Sequence, residues 1–249
     1  MLRRRLTRVP YERLDAEAVL HTVTRLEQRV TARFPERGLT RVAGRLRVVA
    51  TQVRDASLAA APLRVLRLVC WGLIAVLVAV LAVVLVLATS DLIARSGDGP
   101  ALEWLQGIET TINDAVFVGF AILFLWLLPT RVERARVLRV LHQMRSLAHV
   151  IDMHQLTKDP ERFNADFERT DQSAEVGMNA TDMASYLDYC SEMLSLVGKT
   201  AALYAERTTD SAVLATISDI ESLTTGMSRK IWQKVALLPR DESAPRRIA

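Results

Sequence analysis

Histidine, lysine and cysteine are all scarce in this chain of 249 residues, with four, four and two copies. Cys70 lies in an apolar run and Cys190 far from it in a mixed one, so no disulfide is expected. A glycine-rich phosphate loop is missing, because the Gly198-Lys199-Thr200 triplet lacks the upstream glycine spacing and falls inside a helical pattern. There is no serine nucleophile elbow, no DNA-binding layout and no strand-like alternation of apolar and polar residues. Nothing near the N-terminus is apolar enough for a signal peptide.

What is present is apolar mass, unevenly placed. Half the residues are hydrophobic, and they pile up in two blocks. The first, LVCWGLIAVLVAVLAVVLVLA at 68–88, has no ionisable group except Cys70. Its length, at about 1.5 Å per residue, comes to about 31 Å, the thickness of a bilayer core. The second, TINDAVFVGFAILFLWLLP at 111–129, is strictly apolar only from Ala115 to Leu128 and needs its polar start near an interface. Trp126 stands near one end, as an indole at a headgroup boundary does. Neither block holds a charge at mid-depth, where transporters keep a coupling carboxylate.

Charge gives the expected orientation. Residues 1–67 hold 15 Arg/Lys against 6 Asp/Glu, whereas 89–114 hold Arg95 against Asp91, Asp98, Glu103, Glu109 and Asp114. Arg131, Arg134, Arg136 and Arg139 follow the second block. Basic residues stay inside, so both termini are expected in the cytoplasm of a cell with this protein in its inner (plasma) membrane. The net charge of +4 is then a topological signal, and no nucleic-acid partner is expected. Three regions follow: cytoplasmic amphipathic helices over 1–64, a transmembrane hairpin over 65–129 with an outer loop at 89–114, and a cytoplasmic helical domain over 130–249.

The flanking regions carry helical stripes. Val19, Leu20, Val23, Leu26, Val30 and Phe34 recur at three and four, with Asp15 placed to cap. Val42, Leu46, Val49 and Val53 mark a second helix from about Thr40, and its arginines suit either anionic lipid or a packed bundle. Pro62 separates that helix from the first block or kinks its entry. Beyond Pro129, Val137, Leu138, Leu141, Met144, Ala148 and Ile151 continue a helix to about Thr157. DPERF at 159–163 reads as a helix restart, and 169–182 as a connection. Met183, Leu187, Cys190, Leu194, Val197, Ala201 and Tyr204 give one long helix, and Val213, Ile217, Ile220, Met227, Ile231 and Val235 another, closed by Pro239 and a basic tail. The fold class is an all-α integral membrane protein: a two-span helical hairpin with a cytoplasmic bundle of N-terminal helices and a long C-terminal antiparallel hairpin. The stripes exceed what short helices cover, which points to a homo-oligomer.

One polar stretch offers chemistry. His142, Arg145, His149, Asp152 and Gln155 form a ribbon through AHVIDMHQLTKDP and the residues before it, and His154 completes the candidate set. Turning about 100° per residue, Asp152 lies about 60° from His149 and His142 about 20°, but His154 about 140°. That spacing is not the H-x-x-x-H of helical zinc sites. A hydrogen-bonded structural or interfacial network suits it better than a metal, ligand or proton-transfer site, and no cofactor is expected. Asn113 and Asp114 stand at the outer edge of the second block, as a pore mouth or as a cap and interfacial stop. The phrases YLDYCSEMLSL and ESLTTGMSRKIWQK carry more polar detail than a packing stripe requires. The functional expectation is an oligomeric scaffold or regulatory subunit offering its cytoplasmic helices to a membrane or cytoplasmic protein partner. The alternatives are a homo-oligomeric ion channel and a membrane-surface metal-dependent enzyme.

Overall fold

A computed structural model describes residues 13–58, 61–94, 101–164, 166–168, 170–172 and 177–239. Every regular element among them is helical: α1 (Ala16–Arg33), α2 (Gly38–Leu58), α3 (Ala61–Ala94), α4 (Ala101–Leu156), α5 (Ala180–Ala205) and α6 (Ser211–Ala236), with one 3-10 turn at Pro160–Phe163. The helices divide into two compact units, one of residues 59–136 and one of 1–58 with 137–249.

Local chemistry sets the helix ends. Asp15 accepts from the Glu17 amide at the start of α1, Asn179 from the Asp182 amide at the start of α5, and Asp210 from the Ala212 and Val213 amides at the start of α6. Each satisfies donors that the first turn leaves without an intrahelical partner. Pro62 is the second residue of α3, where a missing N–H costs nothing. Asp159 caps as expected, but DPERF makes only the 3-10 turn rather than a restarted helix.

Unit 59–136 holds α3 and the first part of α4, both long and apolar enough to cross a membrane. In each apolar window only 6% of the residues are buried. The connection expected over 89–114 is largely helix: α3 runs on to Ala94 and α4 begins at Ala101. Its centre, 95–100, lies outside the described residues, as does the tail from Asp241. Ser90 and Thr89 turn their hydroxyls onto backbone carbonyls one turn back, which lets polar residues continue a helix beyond an apolar run.

The other unit is a closed bundle of α1, α2, the last part of α4, α5 and α6 around one core. Leu39, Leu46, Leu141, Met144, Ile151, Met183, Leu187, Leu194, Ile220 and Ile231 are all almost fully buried in it. α5 is its central helix. Beyond the expected stripe it also buries Tyr186, Tyr189, Met193, Leu196, Thr200 and Leu203, a second face that its sequence does not advertise. Phe34, just past α1, packs edge-on against Tyr186 and Tyr189, with ring centroids 5.4 and 6.1 Å apart. The stripes invoked above for an oligomer are therefore covered within one chain, and that ground for assembly falls away.

Candidate functional site

The polar ribbon on α4 is not one site. His142, Arg145 and His149 are exposed, opposite the buried Leu141, Met144, Ala148 and Ile151. Asp152 accepts from Gln155 Nε2 at 2.7 Å, and no hydrogen bond among the described residues joins His149 to Arg145 or Asp152. His154 turns the other way, as its 140° offset implies, and is half-buried. Among the described residues no three His, Cys, Asp or Glu side chains converge as metal ligands would. Asn113 and Asp114 are exposed on α4, three turns past its start at Ala101, so neither caps that helix.

His154 instead helps lock the end of α4. Its Nδ1 lies 3.5 Å from the Tyr186 hydroxyl, and its ring lies so close to Gly38 that a Cβ there would stand 2.6 Å from Cε1. Burial lowers its pKa from the ordinary histidine value, and the charges of Lys158 and Arg41 lower it further. Lys234, reaching from α6, donates to the Gln155 carbonyl at 3.1 Å and the Lys158 carbonyl at 3.2 Å. A cation on the last carbonyls of a helix offsets the negative end of its dipole. Gln155 Oε1 is buried there without a partner, and Cys190, deep beneath, has its thiol pushed up to about 12 by burial. Thiolate chemistry at Cys190 is thereby suppressed. The cluster ties the end of α4 to α2, α5 and α6, with His154 and Lys234 half-buried and Cys190 fully buried.

A more accessible arrangement lies on the outer side of α5. Asp188, Ser191, Glu192, Ser195 and Lys199 recur at three and four and so share one face. That face floors an open groove with a cavity of about 810 Å³, walled by Leu14, Ala18 and Thr22 around the start of α1 and by Trp232 of α6. A second cavity of about 360 Å³ continues it between α5 and α6, past Ser195, Lys199, Thr225 and Ser228. Gly198 allows this close approach, since a Cβ there would stand 3.1 Å from Thr224 Oγ1.

The groove mixes charged and hydroxyl side chains with the apolar Leu14, Ala18, Val19 and Leu196, and holds one large aromatic, Trp232. Arg29 holds Glu192 through two nitrogens at 2.8 and 3.0 Å and lies 5.0 Å from the centre of the Tyr189 ring. Lys199 Nζ donates to Ser195 Oγ at 2.6 Å. Burial raises the pKa of Asp188, and the neighbouring Glu192 carboxylate raises it further. Trp232 is 57% exposed. The surface therefore sets one exposed indole among hydrogen-bonding side chains.

The groove is built from the two phrases set apart above. YLDYCSEMLSL supplies Asp188, Ser191, Glu192 and Ser195, and ESLTTGMSRKIWQK supplies Glu221, Thr224, Thr225, Ser228 and Trp232. The excess polar detail was the available signal; the antiparallel pairing of α5 and α6 that unites the phrases lies beyond periodicity. No family model, curated protein or solved structure matches this chain.

Proposed function

We propose that the protein is a membrane-tethered scaffold or regulatory subunit, with both termini in the cytoplasm and a helical bundle that offers the α1/α5/α6 groove to a protein partner. The observation that carries this reading is a contrast in covering. α3 and the first part of α4 leave nearly every residue of their apolar runs unburied, which only lipid or another apolar surface satisfies. The bundle covers its own core yet leaves a bulky indole standing at an open groove of mixed polar and apolar lining. Exposed tryptophan ringed by polar groups is the composition of an interface hot spot. Charge asymmetry supports the orientation, and the inner or plasma membrane is the corresponding location.

Site-specific photocrosslinking in cells tests the partner claim. A crosslinker at Ser195 in the groove should give a discrete product with a second protein, absent with a crosslinker at Met153, which is exposed on α4. The product should vanish on Trp232→Ala while membrane localisation persists. Equal or absent products at the two positions would defeat the reading.

A homo-oligomeric channel is the second reading, favoured by Asn113 and Asp114 standing exposed where the apolar run of α4 begins. Against it, α3 has no polar face for a wet pore. Homo-oligomerisation now rests on the uncovered faces of α3 and α4 alone, and mass measurement in nanodiscs gives the copy number. A metal-dependent enzyme is the weakest reading, because the 142–154 ribbon splits between solvent and the bundle.

A further inference from the structure

Within the unit of residues 59–136, α3 and α4 close on a cavity of about 240 Å³ beside Pro129. Its lining combines Arg67, Cys70, Trp71 and Trp126 with the aliphatic residues Ile74, Leu125 and Leu127. No carboxylate lines it. Arg64, one turn before Arg67, and Arg131, just past Pro129, add two exposed positive charges. None of these three arginines is paired with a carboxylate among the described residues. Thr130 spends its hydroxyl on the Leu127 carbonyl at 2.7 Å, so the remaining side-chain donors among the lining residues belong to Arg67, Trp71, Trp126 and, weakly, the Cys70 thiol. Pro129 has no N–H, which leaves the Leu125 carbonyl of the same wall without its intrahelical donor.

We propose that this cavity is a binding site for the headgroup of a net-anionic phospholipid of the inner leaflet. The inference rests on the membrane reading above and goes beyond it by naming a ligand. A phosphate matches Arg67, and a glycerol hydroxyl on the same headgroup supplies the donor that Pro129 removes from Leu125. Tryptophans belong at headgroup depth, and the aliphatic wall runs into the exposed apolar surface at Leu73 and Val76, where acyl chains lie. The cavity is smaller than the roughly 300–1,000 Å³ of drug-sized pockets, so it takes a headgroup and leaves the chains outside. A choline headgroup fits less well. Its cation would meet Arg64, Arg67 and Arg131 with no carboxylate to receive it.

The test uses the full chain in phosphatidylcholine nanodiscs, with Trp104 and Trp232 changed to Phe so that Trp71 and Trp126 report. Brominated phosphatidylglycerol as a minor component should quench their fluorescence at about fivefold lower mole fraction than brominated phosphatidylcholine, the factor for one basic residue near an anionic surface. Arg67→Gln should erase the preference and Arg67→Lys should keep part of it. Arg136→Gln, outside the cavity, should leave it intact. Excess soluble glycerol phosphate should not relieve the quenching; relief would identify a site for free phosphates and overturn the lipid assignment. Equal quenching by the two lipids overturns the site, as does a loss with Arg136→Gln equal to that with Arg67→Gln. Failure of the chain to enter nanodiscs overturns the membrane reading and the site with it, whereas entry without lipid preference overturns the site alone. The wild-type comparison stands even where a variant misfolds.

Discussion

Helices α3 and α5 invert the usual relation between composition and burial. α3 is apolar on every side and nearly all exposed, while α5 mixes serines, acids and aromatics with its aliphatic stripe and is covered on most sides. A helix apolar all round is satisfied by a surrounding medium, so it needs no protein partner in lipid. A helix of mixed character at the centre of a bundle is held by neighbours specific to each face. Mutations should therefore be felt locally and steeply in the bundle and through depth alone in α3.

The largest expected effect is Leu141→Glu. Leu141 is fully buried in the bundle core, so a carboxylate there lacks both water and a partner. Loss of about 4 kcal/mol or more is expected, with collapse of amide-exchange protection across α5 and α6. If the stripe holding Leu141 were instead a contact between copies of the chain, the same change would split an oligomer and leave the helices intact. Intact exchange protection would restore that view. In α3 the matching test is Val80→Lys, midway along the apolar run. It should cost about 2.5–3.5 kcal/mol of insertion, whereas Val80→Leu should cost almost nothing because no side chain packs tightly against it. A glycosylation-based insertion assay reads both. A large penalty for Val80→Leu would mean that α3 has a close protein neighbour after all.

Gly38→Ala should be intermediate. Its new Cβ would press on the His154 ring, which is itself wedged against α5, and the cost is about 1–3 kcal/mol. The companion change His154→Ala removes the obstacle, so the double variant should lose less than the sum of the two single ones. Thermal unfolding in detergent is the measurement, and strict additivity would show that the contact carries no strain.

The pH dependence follows from the same joint. His154 resists protonation in the fold, so the unfolded chain takes up the proton first as pH falls below about 6.5. Stability should drop through that window and level off below the folded pKa. His154→Gln should flatten this part of the curve between pH 7.5 and 5.5. Persistence of the full slope in His154→Gln would assign it to other groups.

Much of the bundle was legible in the sequence, and the reasons are specific. Asp15, a short polar residue just before the first apolar stripe, caps α1 as its position implies. The second buried face of α5 was not legible, because hydroxyl residues satisfy themselves on their own helix. Thr200 donates to the Leu196 carbonyl at 2.7 Å and is then packed like an apolar residue. Periodicity counts it as polar and assigns the face to solvent. The helical start of α4 was missed for a related reason: its acids read as loop, yet they lie at 103, 109 and 114 along one continuous helix. For the candidate site, the residues of the groove were visible as unusual phrases, but their meeting depends on how α5 and α6 pair.

The smallest expected effect concerns the groove itself and separates its electrostatics from its packing. Arg29 and Glu192 form an ion pair with both side chains partly exposed, worth about 0–1 kcal/mol. Arg29→Gln should therefore barely change stability by this route. It also removes the cation that holds Asp188 toward its charged form, leaving Asp188 and Glu192 four residues apart on one helix face as a pair of like charges. Burial and Glu192 already raise the Asp188 pKa from the ordinary aspartate value, and it should rise again in the variant. A raised carboxylate pKa contributes stability below the unfolded value and loses it as pH rises through the folded one. The small deficit of Arg29→Gln should consequently be greatest near neutral pH and shrink on acidification toward pH 5. That trend is distinct from the fall assigned to His154, since it appears in the difference between two proteins that share the histidine. A deficit that stays constant across this range would show that Arg29 matters for its packing on Tyr189, 5.0 Å from the ring, and not for the charge of the groove.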